Sequence, residues 1–185
     1  GSMINSYNFD TDNASLNGGS SNIGAFQNRF TLHYNTHKNF SLGLDFLGHT
    51  LNGDSANYNS GGLGIVAQYY FINNPKMNIY FEANFGSLSS RWDGKNQVEP
   101  ASLSGNGSYN SFSLGLNKYF GKIIGLYLQS GFMRQGFQIN NFTLNGESKD
   151  YLENIKVEDI KFLFRGGYVN IGLTIKLRNK SPKSE

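Results

Sequence analysis

Apolar and polar residues alternate with a period of two along most of the chain. In FQNRFTLHYN, residues 26–35, Phe26, Phe30, Leu32 and Tyr34 share one side, with Asn28 breaking the row. Gln27, Arg29, Thr31 and His33 share the other. FSLGLDFLGH, residues 40–49, sets Phe40, Leu42, Leu44 and Phe46 against Ser41, Gly43 and Asp45. The same reading gives Leu63, Ile65, Ala67, Tyr69 and Phe71 against Gly64, Val66, Gln68 and Tyr70. It gives Ile79, Phe81, Ala83 and Phe85 against Asn78, Tyr80, Glu82 and Asn84. Further on, Phe112, Leu114, Leu116 and Phe120 oppose Ser113, Gly115, Asn117 and Tyr119, and Ile124, Leu126, Leu128 and Phe132 oppose Gly125, Tyr127, Gln129 and Gly131. Last come Val169, Ile171, Leu173, Ile175 and Leu177 against Tyr168, Asn170, Gly172, Thr174 and Lys176. Side chains of a strand point to opposite faces in turn, so this pattern predicts seven strands. MINSYNFD at residues 3–10, with Tyr7 and Phe9 on one face, is a weaker eighth.

The connections alternate in length. THK, NNPK and GK are tight, whereas TDNASLNGGSS, NGDSANYNSG, SSRWDGKNQVEPASLSGNGSYN and NNFTLNGESKDYLENIKVED are long and polar. Short turns at one end and long loops at the other describe an antiparallel up-and-down meander with both termini on the tight-turn side. KDYLENI has room for a single helical turn. Meanders of this kind remove their edges by closing into barrels. The expected fold is therefore all-β, an eight-stranded antiparallel up-and-down barrel forming one domain over residues 1–177, with a polar basic tail at 178–185. The initial GSM reads as a cloning scar.

Which face lies inside decides the class. An eight-stranded interior is just wide enough for its side chains to fill, and the apolar rows are too bulky for it. The polar rows are interspersed with small residues, Gly43, Gly64, Gly86, Gly115, Gly125, Gly131 and Gly172 among them, which suits a narrow, filled interior. The alternation persists for about 9–11 residues per strand, the length of a tilted membrane strand. Tyr34, Phe40, Tyr69, Phe71, Tyr119 and Phe120, near the tight turns, would make an interfacial girdle. The apolar face is accordingly expected to meet lipid through Phe30, Leu32, Phe40, Leu42, Leu44, Phe46, Ile65, Phe81, Leu114, Leu116, Leu126, Leu128, Ile171 and Leu173. On this reading Leu44→Arg would impair insertion and Gly43→Ser would be far milder. A soluble lipocalin-like barrel, apolar face inward, is the alternative.

Composition agrees. Of 185 residues only 16% are charged, 15% are aromatic and 23 are glycine, which suits strands and polar loops. The net charge of +3 gathers toward KLRNKSPKSE, and no basic stripe of a nucleic-acid binder is present. With no cysteine, disulfides, thiolate metal sites and cysteine nucleophiles are excluded. No run approaches the roughly 20 apolar residues of a transmembrane helix.

The succession FTLHYNTHKNFSLGLDFLGHT, LGIVAQYYFINNPKMNIYFEANFGSLSS and FSLGLNKYFGKIIGLYLQSGF resembles the outer-membrane β-barrel domain family common in Bacteroidota, itself similar to the small OmpA- and OmpX-type barrels. The resemblance runs from about Ser20 to Leu177 and rests on patterns of turns and strand ends. It implies an outer-membrane location in a Gram-negative cell and carries no catalytic signature. The chain departs from the usual aromatic last residue by continuing past Leu177 into RNKSPKSE.

Counting across the tight turns places Arg29 opposite Asp45, Gln68 opposite Glu82 and Asn117 opposite Tyr127. This predicts a polar belt that plugs the interior, with Arg29 clamped by Asp45 and Glu82, since buried charges must be paired. His33 and His49 fall on the interior face at opposite ends and His37 in a tight turn, so no Ser–His–acid cluster can be assembled. Acyl transfer would need an apolar upper interior, and this one reads as polar. No enzyme activity, cofactor or metal is expected. Trp92, in the third long loop, is the candidate loop contact, or else an anchor at the outer membrane interface, the reading that aromatic residues there favour. The expected function is structural, adhesive or partner-binding, through long extracellular loops, in contact with membrane lipid and lipopolysaccharide and with other envelope proteins as further candidates. The alternative is a narrow, porin-like channel or a subunit of a transport complex. Finally, carrying the parity of Val169 backward would put Phe162 and Phe164 into a polar interior, so a bulge is expected at Gly166–Gly167.

Overall fold

A computed structural model describes residues 6–11, 26–52, 56–94, 100–152 and 155–176, the side chains of 6–11, 51, 52, 56, 151, 152 and 155 excepted. The strands are β1 (Ser6–Thr11), β2 (Phe26–His37), β3 (Phe40–Asn52), β4 (Ala56–Asn73), β5 (Met77–Gly94), β6 (Ala101–Phe120) and β7 (Ile124–Leu144). There follow the short β8 (Glu147–Lys149), β9 (Tyr151–Leu152) and β10 (Ile155–Lys156), a 3-10 turn at Val157–Asp159, and β11 (Lys161–Ile175). Eight of them form one antiparallel up-and-down sheet in the order β1-β11-β7-β6-β5-β4-β3-β2, with β8 added beside the end of β7. β1 and β2 are not paired with each other among the described residues, so the sheet is not closed. The tail at 178–185 and the start of the expected first strand lie outside the described residues.

The sheet is nevertheless rolled. β2 and β7 are five strand positions apart, which in a flat sheet would be about 24 Å. Yet Arg29 on β2 donates from Nη1 to Gln129 Oε1 on β7 at 3.3 Å. Only a curled sheet brings those residues together, and the side chains of the concave face fill the space it encloses.

The strands are longer than the alternation indicated. β4 and β5 have 18 residues each, β6 has 20 and β7 has 21. Much of what reads as polar loop is therefore paired strand: β5 runs through Trp92 to Gly94, β6 starts at Ala101, and β7 continues through Phe142. Cross-strand hydrogen bonding does not require a greasy outer face, so the pairing outlasts the pattern that reveals it. The helical turn in the last loop falls at Val157–Asp159, just beyond KDYLENI, where two strand fragments pair instead.

Register at the tight turns differs slightly from simple counting. A shift between Asn35 and His37 sets Arg29 opposite Leu47 and Thr31 opposite Asp45. Another, between Tyr70 and Ile72, leaves Gln68 opposite Glu82, and Asn117 pairs with Tyr127. The bulge expected at Gly166–Gly167 is absent. β11 pairs with β7 residue for residue from Lys161–Gln138 to Ile175–Ile124. Phe164 is buried and Phe162 half-buried, both facing inward, while Lys161 and Arg165 face outward.

The reason is that the polarity of the two faces inverts part-way along the strands. In the half nearest the tight turns, β4 points Gln68 inward and Ile65 outward, β6 Ser113 inward and Leu114 outward, and β7 Gln129 inward and Leu128 outward. In the other half β4 points Tyr58 inward and Asn59 outward, β6 Leu103 inward and Asn106 outward, and β7 Phe137 inward and Gln138 outward. β11 follows suit: Asn170 inward and Ile171 outward near its end, Phe164 inward and Arg165 outward near its start.

Candidate functional site in the interior

The tight-turn half of the interior is organised around Arg29. Its Nε donates to Asp45 Oδ1 at 2.7 Å, and its Nη2 stands 2.9 Å from Glu82 Oε1. All three side chains are almost completely buried. Asp45 is thus a diagonal neighbour of Arg29 rather than its direct partner, within easy reach of a long side chain. Tyr109 donates to the second oxygen, Asp45 Oδ2, at 2.9 Å.

Glu82 collects the rest. Gln68 Nε2 donates to its Oε2 at 2.6 Å, and Gln129 Nε2 and Asn84 Nδ2 donate to Oε1 at 2.7 and 3.0 Å. Tyr70 donates to Gln68 at 2.6 Å, Asn84 to Ser111 at 3.0 Å, Gln129 to Ser113 at 2.7 Å and Asn170 to Gln129 at 3.3 Å. Every long strand from β2 to β7, and β11, supplies a member. One guanidinium faces two carboxylates, and amide and hydroxyl donors occupy the remaining carboxylate lone pairs, the condition under which buried charge is tolerable. Asn117 and Tyr127 also face inward but nearer the tight turns: Glu82 is opposite Ser113 on β6, and Asn117 lies two inward positions further on.

Glycine makes the room. A Cβ on Gly64 would stand 2.5 Å from Tyr109 Oη, and one on Gly86 would enter the same ring. Gly115 and Gly172 likewise lie under Tyr80 and Tyr127. At Gly43 the atoms that a Cβ would meet first are all main chain, those of Leu32 and His33 on β2. The expectation that Gly43→Ser is mild therefore fails, because the neighbour in the way is main chain.

The long-loop half of the interior is apolar, which corrects the sequence reading of a uniformly polar lumen. Phe137 stacks on Phe164 at 5.8 Å and on Phe162 at 5.2 Å, and Tyr58 packs on Phe164 at 4.9 Å. Leu47, Leu88, Leu103, Met133, Ile139 and Phe142 join them. The last loop closes the top. Val157 and Ile160 are buried in the cluster, Ile139 N–H donates to Ile160 O at 3.0 Å, Val157 N–H donates to Asp150 O at 2.9 Å, and the Gln138 amide donates to Glu158 O. Trp92 lies on β5 with inward parity and packs, half-buried, against this cluster. It is part of the seal rather than an exposed loop contact.

Nothing brings the histidines together. His49 is buried with Nδ1 2.6 Å from Gln135 Nε2, His37 Nδ1 accepts from Asn39 N–H at 3.4 Å in the turn, and His33 faces inward from the tight-turn half of β2. Sequence reasoning missed Tyr109 and the aromatic cluster, and it set Gln129 on the polar row without placing it in the belt. Tyr109 and Phe137 lie in stretches that carry no greasy outer row, and straight continuation of strand parity would have found them.

Phe30, Leu32, Leu42, Leu44, Phe46, Ile65, Phe81, Leu114, Leu116, Leu126, Leu128, Ile171 and Leu173 are all exposed on the convex face, and Phe40 is half-exposed there. Of the aromatics expected near the tight turns, Tyr34, Tyr69, Phe71 and Phe120 are exposed, whereas Tyr119 has inward parity and lies under Lys176.

No family model and no curated protein matches this chain. Among solved structures it is similar to the outer membrane protease OmpT of Escherichia coli, at 12% identity over 91% of this chain and 73% of that one, with a TM-score of 0.45. It is also similar to the KdgM porin, at 9% identity over 95% of this chain and 99% of that one, with a TM-score of 0.25.

Proposed function

We propose that this chain is a closed eight-stranded β-barrel of the outer membrane of a Gram-negative bacterium. Its interior is sealed, and it acts without catalysis, as a structural or adhesive element or by binding partners, through the strand ends and loops that stand above the bilayer. The observation that carries this reading is the inversion of polarity along the strands. Among the described residues 27 large hydrophobic side chains are exposed and 16 are buried. A water-soluble domain rarely leaves so large a contiguous apolar surface uncovered. Here that surface girdles the tight-turn half of β2–β7 and β11, opposite a hydrogen-bonded polar interior, as a lipid-facing strand requires. Beyond the girdle the same strands have apolar residues inside and polar residues outside, the arrangement suited to water.

Two seals in series support the non-conducting part of the reading. The Arg29–Asp45–Glu82 network spans the lower interior, and the aromatic cluster with its Val157–Ile160 cap fills the upper. The test is to fold the full chain into phosphatidylcholine vesicles and record single-channel currents in planar bilayers. Folding that needs lipid or detergent, without unitary currents, is expected. A steady conductance would replace the sealed structural role with that of a narrow channel. Folding in buffer alone would remove the membrane assignment.

A further inference from the structure

The two ends of the sheet carry charge differently. At the loop end, exposed cations have carboxylates beside them: Arg91 pairs with Asp93 at 2.9 Å, Lys149 with Glu147 at 2.7 Å and Lys156 with Glu158 at 3.7 Å. At the other end each tight turn carries a lysine: Lys38 after β2, Lys76 after β4 and Lys122 after β6. Lys118 stands near the end of β6, and Lys176 just past the end of β11. All five are exposed. Among the described residues this end holds no aspartate or glutamate; Asp45 and Glu82, further up the strands, are buried and engaged with Arg29. Lys176 lies over the Tyr119 ring at 5.2 Å, a contact that leaves its charge in place. The sequence that follows adds Arg178, Lys180 and Lys183 against Glu185 alone.

Lys118 ties this rim to the apolar girdle. The outward row of β6 runs Phe112, Leu114, Leu116, Lys118, Phe120, and the cross-strand partners of Lys118 are Met77 on β5 and Leu126 on β7. A cation in such a row is costly at the middle of a bilayer and cheap near its interface, where a lysine stem covers apolar surface and the ammonium stays among polar groups. Tyr34, Tyr69, Phe71 and Phe120 are exposed at the same end, and aromatic residues favour the headgroup level. The turn lysines recur at every second strand, so successive ones stand about 10 Å apart along the rim. That spacing is too wide for one small anion and suits separate headgroups around the circumference. A single acidic protein would call for a compact patch on one side.

We propose that Lys38, Lys76, Lys118, Lys122 and Lys176 form a docking rim for the anionic phosphates of phospholipid headgroups in the leaflet at the tight-turn end. The proposal rests on the membrane reading above and adds to it a partner of stated charge at one end of the barrel. Each lysine offers a compact positive charge with three donors to phosphate oxygens. A lysine at an anionic surface adds roughly fivefold to the local preference for charged lipid, and five with no carboxylate among them act in the same sense.

The test is electron spin resonance of the full chain in phosphatidylcholine vesicles doped with phosphatidylglycerol or phosphatidylcholine spin-labelled on the acyl chain, which reads the fraction of each lipid held at the protein surface. The wild type is expected to prefer phosphatidylglycerol by about twofold to fivefold. Lys38→Gln/Lys76→Gln/Lys122→Gln should lose most of that preference. Arg91→Gln/Lys149→Gln/Lys156→Gln, which removes the same charge from the loop end, should keep it. Raising the salt from about 0.1 M to about 1 M, which shortens the screening length from about 10 Å to about 3 Å, should abolish the preference of the wild type. If circular dichroism shows that the rim variant does not fold, Lys76→Gln/Lys122→Gln is read instead against Arg91→Gln/Lys149→Gln. Equal restriction of the two lipids by the wild type overturns the proposal and leaves the rim to an acidic water-soluble partner. A preference unchanged in the rim variant, lost equally in both variants, or surviving high salt overturns it too. A chain that folds without any amphiphile defeats the membrane reading itself, whereas one that inserts but shows no headgroup preference defeats only the rim.

Discussion

The two halves of the interior solve the same problem with opposite chemistry. Near the tight turns, one guanidinium, two carboxylates and a ring of amides and hydroxyls drawn from seven strands fill the space with directional bonds. Toward the loops, stacked phenyl rings and aliphatic side chains fill it by packing, under a cap from the last loop. Tyr109 belongs to both, with its ring in the apolar cluster and its hydroxyl on Asp45. The outer surface switches in the opposite sense at a similar level. Strands with apolar side chains outward carry their polar groups inside, and strands with polar side chains outward enclose an ordinary apolar core. The comparison teaches that the change of polarity is written across the strands, inside and outside together.

The largest effects should come from removing the centre of each half. Arg29→Met leaves Asp45 and Glu82 buried without a cation, an expected loss of about 3–5 kcal/mol, measured by urea unfolding from lipid vesicles. Adding Asp45→Asn and Glu82→Gln should return part of it, because the uncompensated charges go too. Phe137→Ala, at the middle of the aromatic stack, should cost about 3–5 kcal/mol as a core truncation does, with nothing restored by the same carboxylate changes. Rescue of Phe137→Ala by them would merge the two halves into one unit.

Next in size is a contrast on one face of one strand. On the proposed membrane reading, Ile65→Arg places a cation among lipid tails and should cost about 2–4 kcal/mol. Asn59→Arg, six residues along the outer face of β4, should stay within about 0.5 kcal/mol as a surface change. Equal costs would erase the boundary between the halves. A loss somewhat below that of Ile65→Arg is expected at the link: Tyr109→Phe keeps the ring and removes a hydrogen bond to a carboxylate, about 1.5–3 kcal/mol.

The sequence made the lower half legible. Leu42, Leu44 and Phe46 alternating with Ser41, Gly43 and Asp45 identify both strand and face, and counting across short turns brings Arg29 within one diagonal step of Asp45. It hid the upper half because the rule that the apolar row points outward stops holding there. Phe162 and Phe164 need a bulge only under that rule; strand parity alone places them inward, beside Phe137. Trp92 reads as a loop residue because Ser89, Ser90 and Asp93 around it carry no amphipathic contrast, although the backbone pairing of β5 with β4 and β6 continues through them. Small register shifts at Asn35 and Phe71 have no sequence signature in alternation, since a single extra residue at a turn leaves the rows on either side intact.

The central claim is that the lower convex face meets lipid. It is tested most directly by spin labels placed singly at positions 65 to 69 of β4 in vesicles, with collision rates measured against oxygen, which concentrates in hydrocarbon, and a water-soluble nickel complex. The account predicts high oxygen and low nickel accessibility at Ile65, Ala67 and Tyr69, and low accessibility to both at Val66 and Gln68. High nickel accessibility at Ile65, Ala67 and Tyr69 would contradict it.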